Sequence, residues 1–256
     1  MHVLVVALAG VVGLVAGSFL TVVVHRVPER RSIVAPGSSC PACGAAIRPV
    51  DNVPVLSYLL RRGRCRACGA AISLRYPALE LGTALLFLAV AVRVGTGWAV
   101  PAYCVLAAAL VALSAIDLER MRLPTPIIWV TAALGAPLLV LASAGTGDWA
   151  ALVRAAIAGA VALAAFGAMY VLVPKGIGFG DVRLAALCGM FLGWLGYRVA
   201  LVGFLAGFLA GGVVGAALVL AGRAGRRTRV PFGPFLALGT LVAVCYGAPI
   251  ARAWLG

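Results

Sequence analysis

Charged residues are scarce in this 256-residue sequence, and acidic residues are the scarcest of them. Charged residues make up only 11% of the chain, and aspartate and glutamate together number 7. Water-soluble proteins carry about 25% charged and about 45–50% apolar residues. With 64% hydrophobic residues, this chain has too little polar surface to cover itself in water. A soluble globular protein is therefore excluded, and the composition predicts an all-α polytopic membrane protein.

Long apolar runs predict about eight transmembrane helices, because a bilayer-spanning helix needs about 20 mostly apolar residues. The predicted spans are roughly 3–24, 77–94, 99–116, 126–144, 151–173, 182–197, 199–221 and 231–254. The sixth run is short and abuts the seventh. Outside these runs, one stretch is long enough to fold by itself, at residues 25–76. We expect three parts: a first transmembrane helix (1–24), a loop domain (25–76) and a seven-helix membrane domain (77–256).

Basic residues outnumber acidic ones by 21 to 7, giving a net charge of +14. If the N-terminus lies outside, the segments predicted to face the cytoplasm hold 17 of the 21 basic residues. Those segments are 25–76, 117–125, 174–183 and 222–230. Because cytoplasmic loops are enriched in arginine and lysine, the charge indicates this orientation and an attraction to anionic lipid. We do not expect nucleic-acid binding, which favours basic residues interleaved with aromatic ones on a soluble surface.

Four of the seven cysteines form two short motifs in the 25–76 loop. Cys40 and Cys43 make one C-x2-C pair, Cys65 and Cys68 make the other, and the segments 40–47 and 65–72 match at seven of eight positions. Four thiolates at this spacing suit a closed, tetrahedral, structural Zn²⁺ site. The alternative is a pair of disulfides, which the reducing cytosol disfavours. The remaining cysteines lie in predicted spans, as expected of small buried apolar residues.

Two aspartates lie at the ends of predicted spans that face the same side of the membrane. Asp117 ends the third span, and Asp181 opens the sixth span behind a glycine-rich loop. Ionisable groups at such positions are costly unless paired or hydrated, so a functional role is the first hypothesis. A carboxyl pair that shares one proton can activate water and protonate a carbonyl oxygen. Arg183 and Lys175 are expected to stabilise the charged form of Asp181. The alternative is helix capping or local pairing of each aspartate.

At this point the motifs resemble the type IV prepilin peptidase family over nearly the whole chain. The resemblance rests on five blocks in order: Gly17-Ser18-Phe19-Leu20 with His25-Arg26-Val27-Pro28; the two cysteine motifs; Asp51-Asn52-Val53-Pro54; Arg75-Tyr76-Pro77 with Glu80; and the aspartate motifs, including Gly178-Phe179-Gly180-Asp181. The last is the Gly-x-Gly-Asp signature of aspartyl intramembrane proteases. Five blocks in this order are specific, although each block alone is weak.

The resemblance implies an aspartic endopeptidase of the bacterial cytoplasmic membrane. Its substrates would be type IV prepilins and pseudopilins, whose basic leader is removed on the cytoplasmic side just before a hydrophobic helix. Asp117 and Asp181 match the catalytic aspartates of the family, with Gly178 and Gly180 in the catalytic loop. Many members then N-methylate the new terminus with S-adenosylmethionine. Candidates for binding this methyl donor are Asp51, Asn52 and Glu80, with turn and capping roles as the alternative.

Other functions and assemblies stay open from the residues alone. An ion-coupled transporter could use Asp117 and Asp181 as proton or cation sites, although the two related halves expected of many transporters are absent from the sequence. A membrane scaffold would need the cysteine motifs and not the aspartates. Glycines recur every fourth residue from Gly203 to Gly215. Such a stripe predicts close helix packing inside the protein, with a homodimer interface as the alternative.

Overall fold

The computed structural model describes residues 2–95, 97–173, 177–223 and 230–255. This part of the chain contains nine α-helices and no strand longer than an isolated bridge. The helices are α1 His2–Arg26, α2 Leu56–Leu60, α3 Arg75–Arg93, α4 Val100–Arg120, α5 Thr125–Thr146, α6 Ala150–Leu172, α7 Phe179–Leu195, α8 Tyr197–Leu220 and α9 Gly233–Leu255. The expectation of an all-α protein is confirmed. The backbone clusters into two compact units, Met1–Val92 and Arg93–Gly256.

Seven of the described helices are long and apolar enough to cross a membrane. They coincide with seven of the eight predicted spans, and the other predicted span, 182–197, coincides with α7. That helix has 17 residues, so it is only about 25 Å long against a hydrocarbon core of about 30 Å. It ends at Gly196, whose φ of 143° is one that residues with a side chain rarely adopt. The chain therefore turns directly from α7 into α8, as the short sixth run indicated.

In the first unit, α1 and α3 approach closely along a glycine face. A Cβ atom at Gly13 would lie 2.7 Å from Cα of Ala84, and one at Gly17 would lie 2.6 Å from Cα of Glu80. Small residues let helix backbones come together in lipid, where dispersion and packing replace the hydrophobic effect as the driving force. Gly17, the first residue of the Gly-Ser-Phe-Leu block, is therefore a packing residue.

In the second unit, α7 is largely enclosed, with ten of its 17 residues buried. Its glycines admit α6, because a Cβ at Gly189 would lie 2.7 Å from the carbonyl oxygen of Ala158. The hydroxyl of Tyr103 in α4 donates a hydrogen bond of 2.7 Å to the carbonyl of Phe191, and the two rings meet edge to face. These contacts fix α7, and with it Asp181, against its neighbours.

The glycine stripe of α8 packs against α9. A Cβ at Gly203 would lie 3.0 Å from the Ala243 side chain, and one at Gly207 would lie 3.0 Å from the carbonyl of Phe235. Gly239 of α9 faces both of these glycines, whereas Gly215 meets nothing within 4 Å among the described residues. The packing prediction is confirmed for the first half of the stripe. A homodimer stays a prediction.

Candidate active site and candidate metal centre

Asp117 lies near the C-terminal end of α4, and its carboxyl group accepts a hydrogen bond from the start of another helix. Only 5% of the residue is exposed. Its Oδ2 accepts a hydrogen bond of 3.1 Å from the backbone N–H of Gly233, the first residue of α9. A Cβ atom at position 233 would lie 2.7 Å from that same oxygen. Glycine at this position therefore lets the backbone come within hydrogen-bonding distance of the carboxyl group.

Asp181 lies in the first turn of α7 and is also buried, with 8% of the residue exposed. Its Oδ2 accepts a hydrogen bond of 3.0 Å from the backbone N–H of Gly178. Its Oδ1 is buried and has no hydrogen-bond partner among the described residues. Helix capping thus accounts for one oxygen of this carboxyl group. The other is an unsatisfied buried acceptor, which native proteins retain mainly where it has a use.

The structure brings these two aspartates together although 63 residues separate them in the sequence. A glycine beside each of them, Gly180 before Asp181 and Gly233 at Oδ2 of Asp117, contacts the same leucine side chain. Leu123, in the link between α4 and α5, packs between Gly180 and Gly233. A Cβ atom added at Gly180 would lie 2.9 Å from Cβ of Leu123, and one added at Gly233 would lie 3.0 Å from Cδ2 of Leu123. The ends of three helices therefore converge on one carboxyl pair.

Of the two basic residues expected beside Asp181, Arg183 has its described contacts elsewhere. Arg183 donates a hydrogen bond of 2.5 Å to the hydroxyl of Thr125, and its guanidinium lies 4.4 Å from the centroid of the Phe179 ring. The expectation that Arg183 stabilises Asp181 is corrected, because its side chain is directed to α5 and to the preceding turn. Lys175 lies outside the described residues.

Sequence reasoning missed Gly233 and Leu123. Gly233 follows Phe232 and precedes Pro234, so a glycine beside a proline at the start of a predicted span was the available signal. Leu123 carries no signal of its own, because an apolar residue in a short link looks like any other. Both matter only through contacts with residues distant in the sequence.

Three features show that the four cysteines of the loop form one cluster. The Sγ atoms of Cys40, Cys43, Cys65 and Cys68 all lie within 4.8 Å of one another. The Sγ atoms of Cys40 and Cys68 are 3.9 Å apart, close to the edge of about 3.8 Å expected for a tetrahedron with Zn–S bonds of about 2.3 Å. All seven cysteines are unpaired, so the disulfide alternative finds no support. The donor set and spacing fit a metal ion.

The two cysteine turns repeat in structure as they do in sequence. Each begins with a cysteine N–H bonded to the carbonyl five residues on, at 2.9 Å in both turns. Gly44 and Gly69 have φ of 72° and 73°, the left-handed conformation that glycine adopts without strain. Backbone N–H groups of Cys68 and Ala67 lower the pKa of Cys65 to about 7, whereas the neighbouring thiol of Cys43 contributes to raising the pKa of Cys68 to about 11. The first thiol of the cluster to ionise is thus expected to be Cys65.

The candidate methyl-donor residues lie in the first unit, and two of them have internal partners. Asp51 pairs with Arg61 and, at 3.6 Å, with Arg66. Glu80 is buried, and its Oε2 accepts a hydrogen bond of 2.7 Å from the backbone N–H of Val55. Asn52 is exposed. The structure therefore gives Asp51 and Glu80 structural contacts that differ from the turn and capping roles of the alternative, and their role toward a cofactor stays a prediction.

Comparison with known proteins agrees with this arrangement. Residues 11–94 match the bacterial peptidase A24 N-terminal domain, and residues 104–219 match the type IV leader peptidase family. Curated relatives named prepilin leader peptidase/N-methyltransferase include one from Aeromonas salmonicida, 35% identical over 273 residues, covering 94% of this chain and 91% of the relative. The Bacillus subtilis relative is 35% identical over 239 residues, covering 93% of each chain.

The Pseudomonas aeruginosa relative of the same name is 35% identical over 275 residues, covering 95% of this chain and 91% of its own. No solved structure matches the chain. The matched ranges extend over both units, and the cysteine motifs and both aspartates lie within them. The resemblance seen in the sequence is confirmed, and the chain belongs to the type IV leader peptidase family.

Proposed function

We propose that this protein is a membrane aspartic endopeptidase that removes the basic leader of type IV prepilins or pseudopilins. The observation that carries the proposal is the buried carboxyl pair of Asp117 and Asp181, each held by a glycine N–H. Two adjacent carboxylates repel when both are charged, so one retains a proton. The charged one takes a proton from the attacking water, and the protonated one donates to the carbonyl oxygen as it becomes negative.

Each glycine N–H binds one of the two oxygens of a carboxyl group. On both aspartates Oδ2 is engaged by the backbone, which fixes the plane of the group. On Asp181 this leaves Oδ1 to contact water or the scissile carbonyl. We propose that Asp117 and Asp181 are the catalytic residues and that Gly178 and Gly180 form the loop that positions Asp181. Transport by the same aspartates has no support from the relatives described above, which are named as prepilin leader peptidase/N-methyltransferase.

Isosteric substitution tests this proposal. In purified full-length protein, Asp117→Asn and Asp181→Asn keep an oxygen for the glycine N–H and lose the transferable proton. Each variant is expected to lower the rate of prepilin cleavage by at least about 10³-fold, since either group alone cannot serve as both acid and base. Asp148→Asn is the matched control, because that exposed carboxylate pairs with Arg154 at 2.8 Å, away from the site. Cleavage that survives either active-site substitution would exclude this mechanism.

We further propose that the protein N-methylates the new N-terminus, as the names of its relatives state for them. S-adenosylmethionine would supply an electrophilic methyl group to the freed amine, which loses a proton to solvent as S-adenosylhomocysteine leaves. Asp51, Asn52 and Glu80 are proposed to contribute to its site. Incorporation of labelled methyl groups into the cleaved pilin tests this activity separately. A normal cut without incorporation would remove only the methyltransferase role.

We also propose that the four-cysteine cluster of the loop binds Zn²⁺.

For the membrane topology, we propose that the N-terminus lies outside the bacterial cytoplasmic membrane. The cysteine loop and both aspartates then face the cytoplasm, where a prepilin leader is accessible. With eight crossings the C-terminus is outside as well, whereas a non-crossing α7 would place it inside. An alkaline phosphatase fused to the C-terminus is expected to be active, and an inactive fusion to a stably expressed protein would contradict this topology.

A further inference from the structure

The short helix α2 lies in the loop of the first unit, and its polar side chains point into that loop. The hydroxyl of Ser57 donates a hydrogen bond to the carbonyl of Val50 and accepts one from the N–H of Val53. The hydroxyl of Tyr58 donates to the carbonyl of Ile72. Ser57 is buried and Tyr58 is half-buried. The polar face of α2 is therefore used inside the loop.

The opposite face of α2 is apolar and is directed outward. Leu56, Leu59 and Leu60 are 53%, 65% and 76% exposed, and their spacing of three and four residues places them on one side of the helix. A helix on the surface of a soluble domain has the reverse arrangement, with apolar residues inside and polar ones outside. An exposed apolar face of this kind marks contact with another protein or with a membrane.

The position of α2 within the first unit favours the membrane. Val55, the residue before α2, donates a hydrogen bond of 2.7 Å from its N–H to the carboxylate of Glu80 in α3. Helix α3 is a candidate membrane span, and Tyr76 in its first turn is 42% exposed, as expected of an aromatic residue at a membrane interface. Glu80 lies only about 6 Å further along the helix than Tyr76. Helix α2 therefore begins beside the first turns of a candidate span, where the membrane interface is expected.

The residues that follow α2 carry positive charge. The six positions after the helix include four arginines, Arg61, Arg62, Arg64 and Arg66. Arg61 and Arg66 pair with Asp51, while Arg62 and Arg64 are exposed. Exposed leucines followed by exposed arginines suit a bilayer interface, where apolar side chains enter the acyl boundary and basic ones stay at the phosphate groups. Charge complementarity therefore favours a leaflet with anionic headgroups.

We propose that α2 docks on the membrane surface, with its three leucines at the acyl boundary of the leaflet and with Arg62 and Arg64 at anionic phospholipid headgroups. This contact goes beyond the proposed peptidase activity and does not depend on it. Helix α2 lies between the two cysteine motifs in the sequence. The cysteine loop thus gains a lipid contact of its own, in addition to its chain connections to α1 and α3.

Photo-crosslinking in a bilayer tests the proposal. The benzophenone amino acid p-benzoylphenylalanine replaces Leu59 in purified full-length protein, which is reconstituted in nanodiscs of phosphatidylethanolamine and phosphatidylglycerol. After irradiation, mass spectrometry is expected to show a phospholipid adduct. Ala42 is the matched control position, because it is also exposed but lies in the first cysteine turn. We expect the adduct yield at position 59 to exceed that at position 42 by about fivefold or more. Equal yields, or an adduct at position 59 with a second copy of the chain instead of lipid, would overturn membrane docking.

The charge and the apolar face are tested separately in the protein that carries the benzophenone at position 59. Arg62→Gln with Arg64→Gln is expected to lower the adduct yield by about threefold or more, and replacing phosphatidylglycerol by phosphatidylcholine should then have little further effect. Leu56→Gln with Leu60→Gln should lower the yield in both lipid mixtures. These side chains are exposed, and an unchanged melting temperature in detergent shows that each variant is folded. An unchanged yield in either folded variant would exclude docking through this face.

Discussion

Single residues in this protein show that close backbone approach can matter more than a side chain. Gly233 has no side chain, yet its N–H positions the carboxyl group of Asp117. Gly180 admits Leu123 in the same way beside Asp181. Each aspartate is thus oriented by main-chain donors and small residues, which are rigid and add no competing charge. Such an arrangement preorganises a carboxyl pair at little conformational cost.

The substitution Gly233→Ala tests whether catalysis depends on the position of the Asp117 carboxyl group, because it leaves that group chemically unchanged. The added Cβ would lie 2.7 Å from Oδ2 of Asp117, so either the carboxyl group or the start of α9 must shift. We expect prepilin cleavage to slow by about 10- to 100-fold, as misplacement by about 1 Å can cause. Gly215→Ala, in open space on α8, is the control. Equal activity of both variants would show that the hydrogen bond from Gly233 is dispensable.

Glu80 is expected to act as a structural anchor for the loop. Its carboxylate accepts the N–H of Val55, whose φ of 60° is strained for a β-branched residue. Glu80→Ala should therefore expose residues 51–57 to limited proteolysis, because a half-buried N–H in a strained turn loses its partner, at a cost of about 1 kcal/mol. Glu80→Gln keeps an acceptor oxygen and should keep the loop resistant. Loss of methylation in Glu80→Gln with an intact loop would instead indicate a direct role with the methyl donor.

At the scale of helices, glycines set which pairs pack closely. Gly189 lets α7 meet α6, and Gly203 and Gly207 let α8 meet Gly239 of α9. These pairs bring the starts of α7 and α9 into the same unit as the end of α4, and the three ends carry the carboxyl pair and its donors. The short α7 is held by packing along most of its length. Its stability therefore depends on neighbouring helices more than on contact with lipid.

The substitution Gly239→Ala should destabilise this arrangement. Its Cβ would lie 2.8 Å from Cα of Gly207, and overpacking of this kind typically costs about 1–3 kcal/mol. The melting temperature in detergent is expected to fall for Gly239→Ala. For Gly215→Ala it should stay the same or rise, since alanine is the better helix former by about 1 kcal/mol. A fall for Gly215→Ala with loss of dimers in solution would favour the homodimer alternative for that half of the stripe.

In the whole molecule, the cysteine loop outside the membrane and the helices that can cross it are stabilised by different interactions. A loop of some fifty residues has little apolar core of its own, so a metal ion is a physically reasonable source of its stability. In the described residues the four thiol sulfur atoms lie within 4.8 Å of one another, near enough to share one metal ion. The loop and the helical units thus depend on different forces, metal coordination in one case and close packing in the other.

Metal analysis of the purified protein should find about one zinc ion per chain. The double substitution Cys40→Ser with Cys65→Ser removes two ligands and should lose the metal and open the loop to protease, because structural zinc contributes folding free energy. Cys104→Ser, in α4 and outside the cluster, should retain it. Full zinc content in the double variant would contradict the four-thiolate site.

Much of this protein was predictable from the sequence because the decisive patterns are local. The length of each apolar run predicts a spanning helix, the paired C-x2-C motifs predict the metal ligands, and the scarcity of acids draws attention to Asp117 and Asp181. Even the tight junction of α7 and α8 was visible as a short run abutting the next. The helix predictions use residues within a few turns of one another, and each C-x2-C motif spans four residues, so that period and chain geometry leave few alternatives.

Only the tertiary structure decided which distant groups meet. It paired Asp117 with the N–H of Gly233, placed Leu123 between two glycines, directed Arg183 to Thr125 instead of Asp181, and engaged Glu80 with Val55. Helix periodicity determines which face of a helix is apolar. It does not determine the partner, the crossing point or the axial offset of that helix, because these depend on the packing of all neighbouring side chains at once.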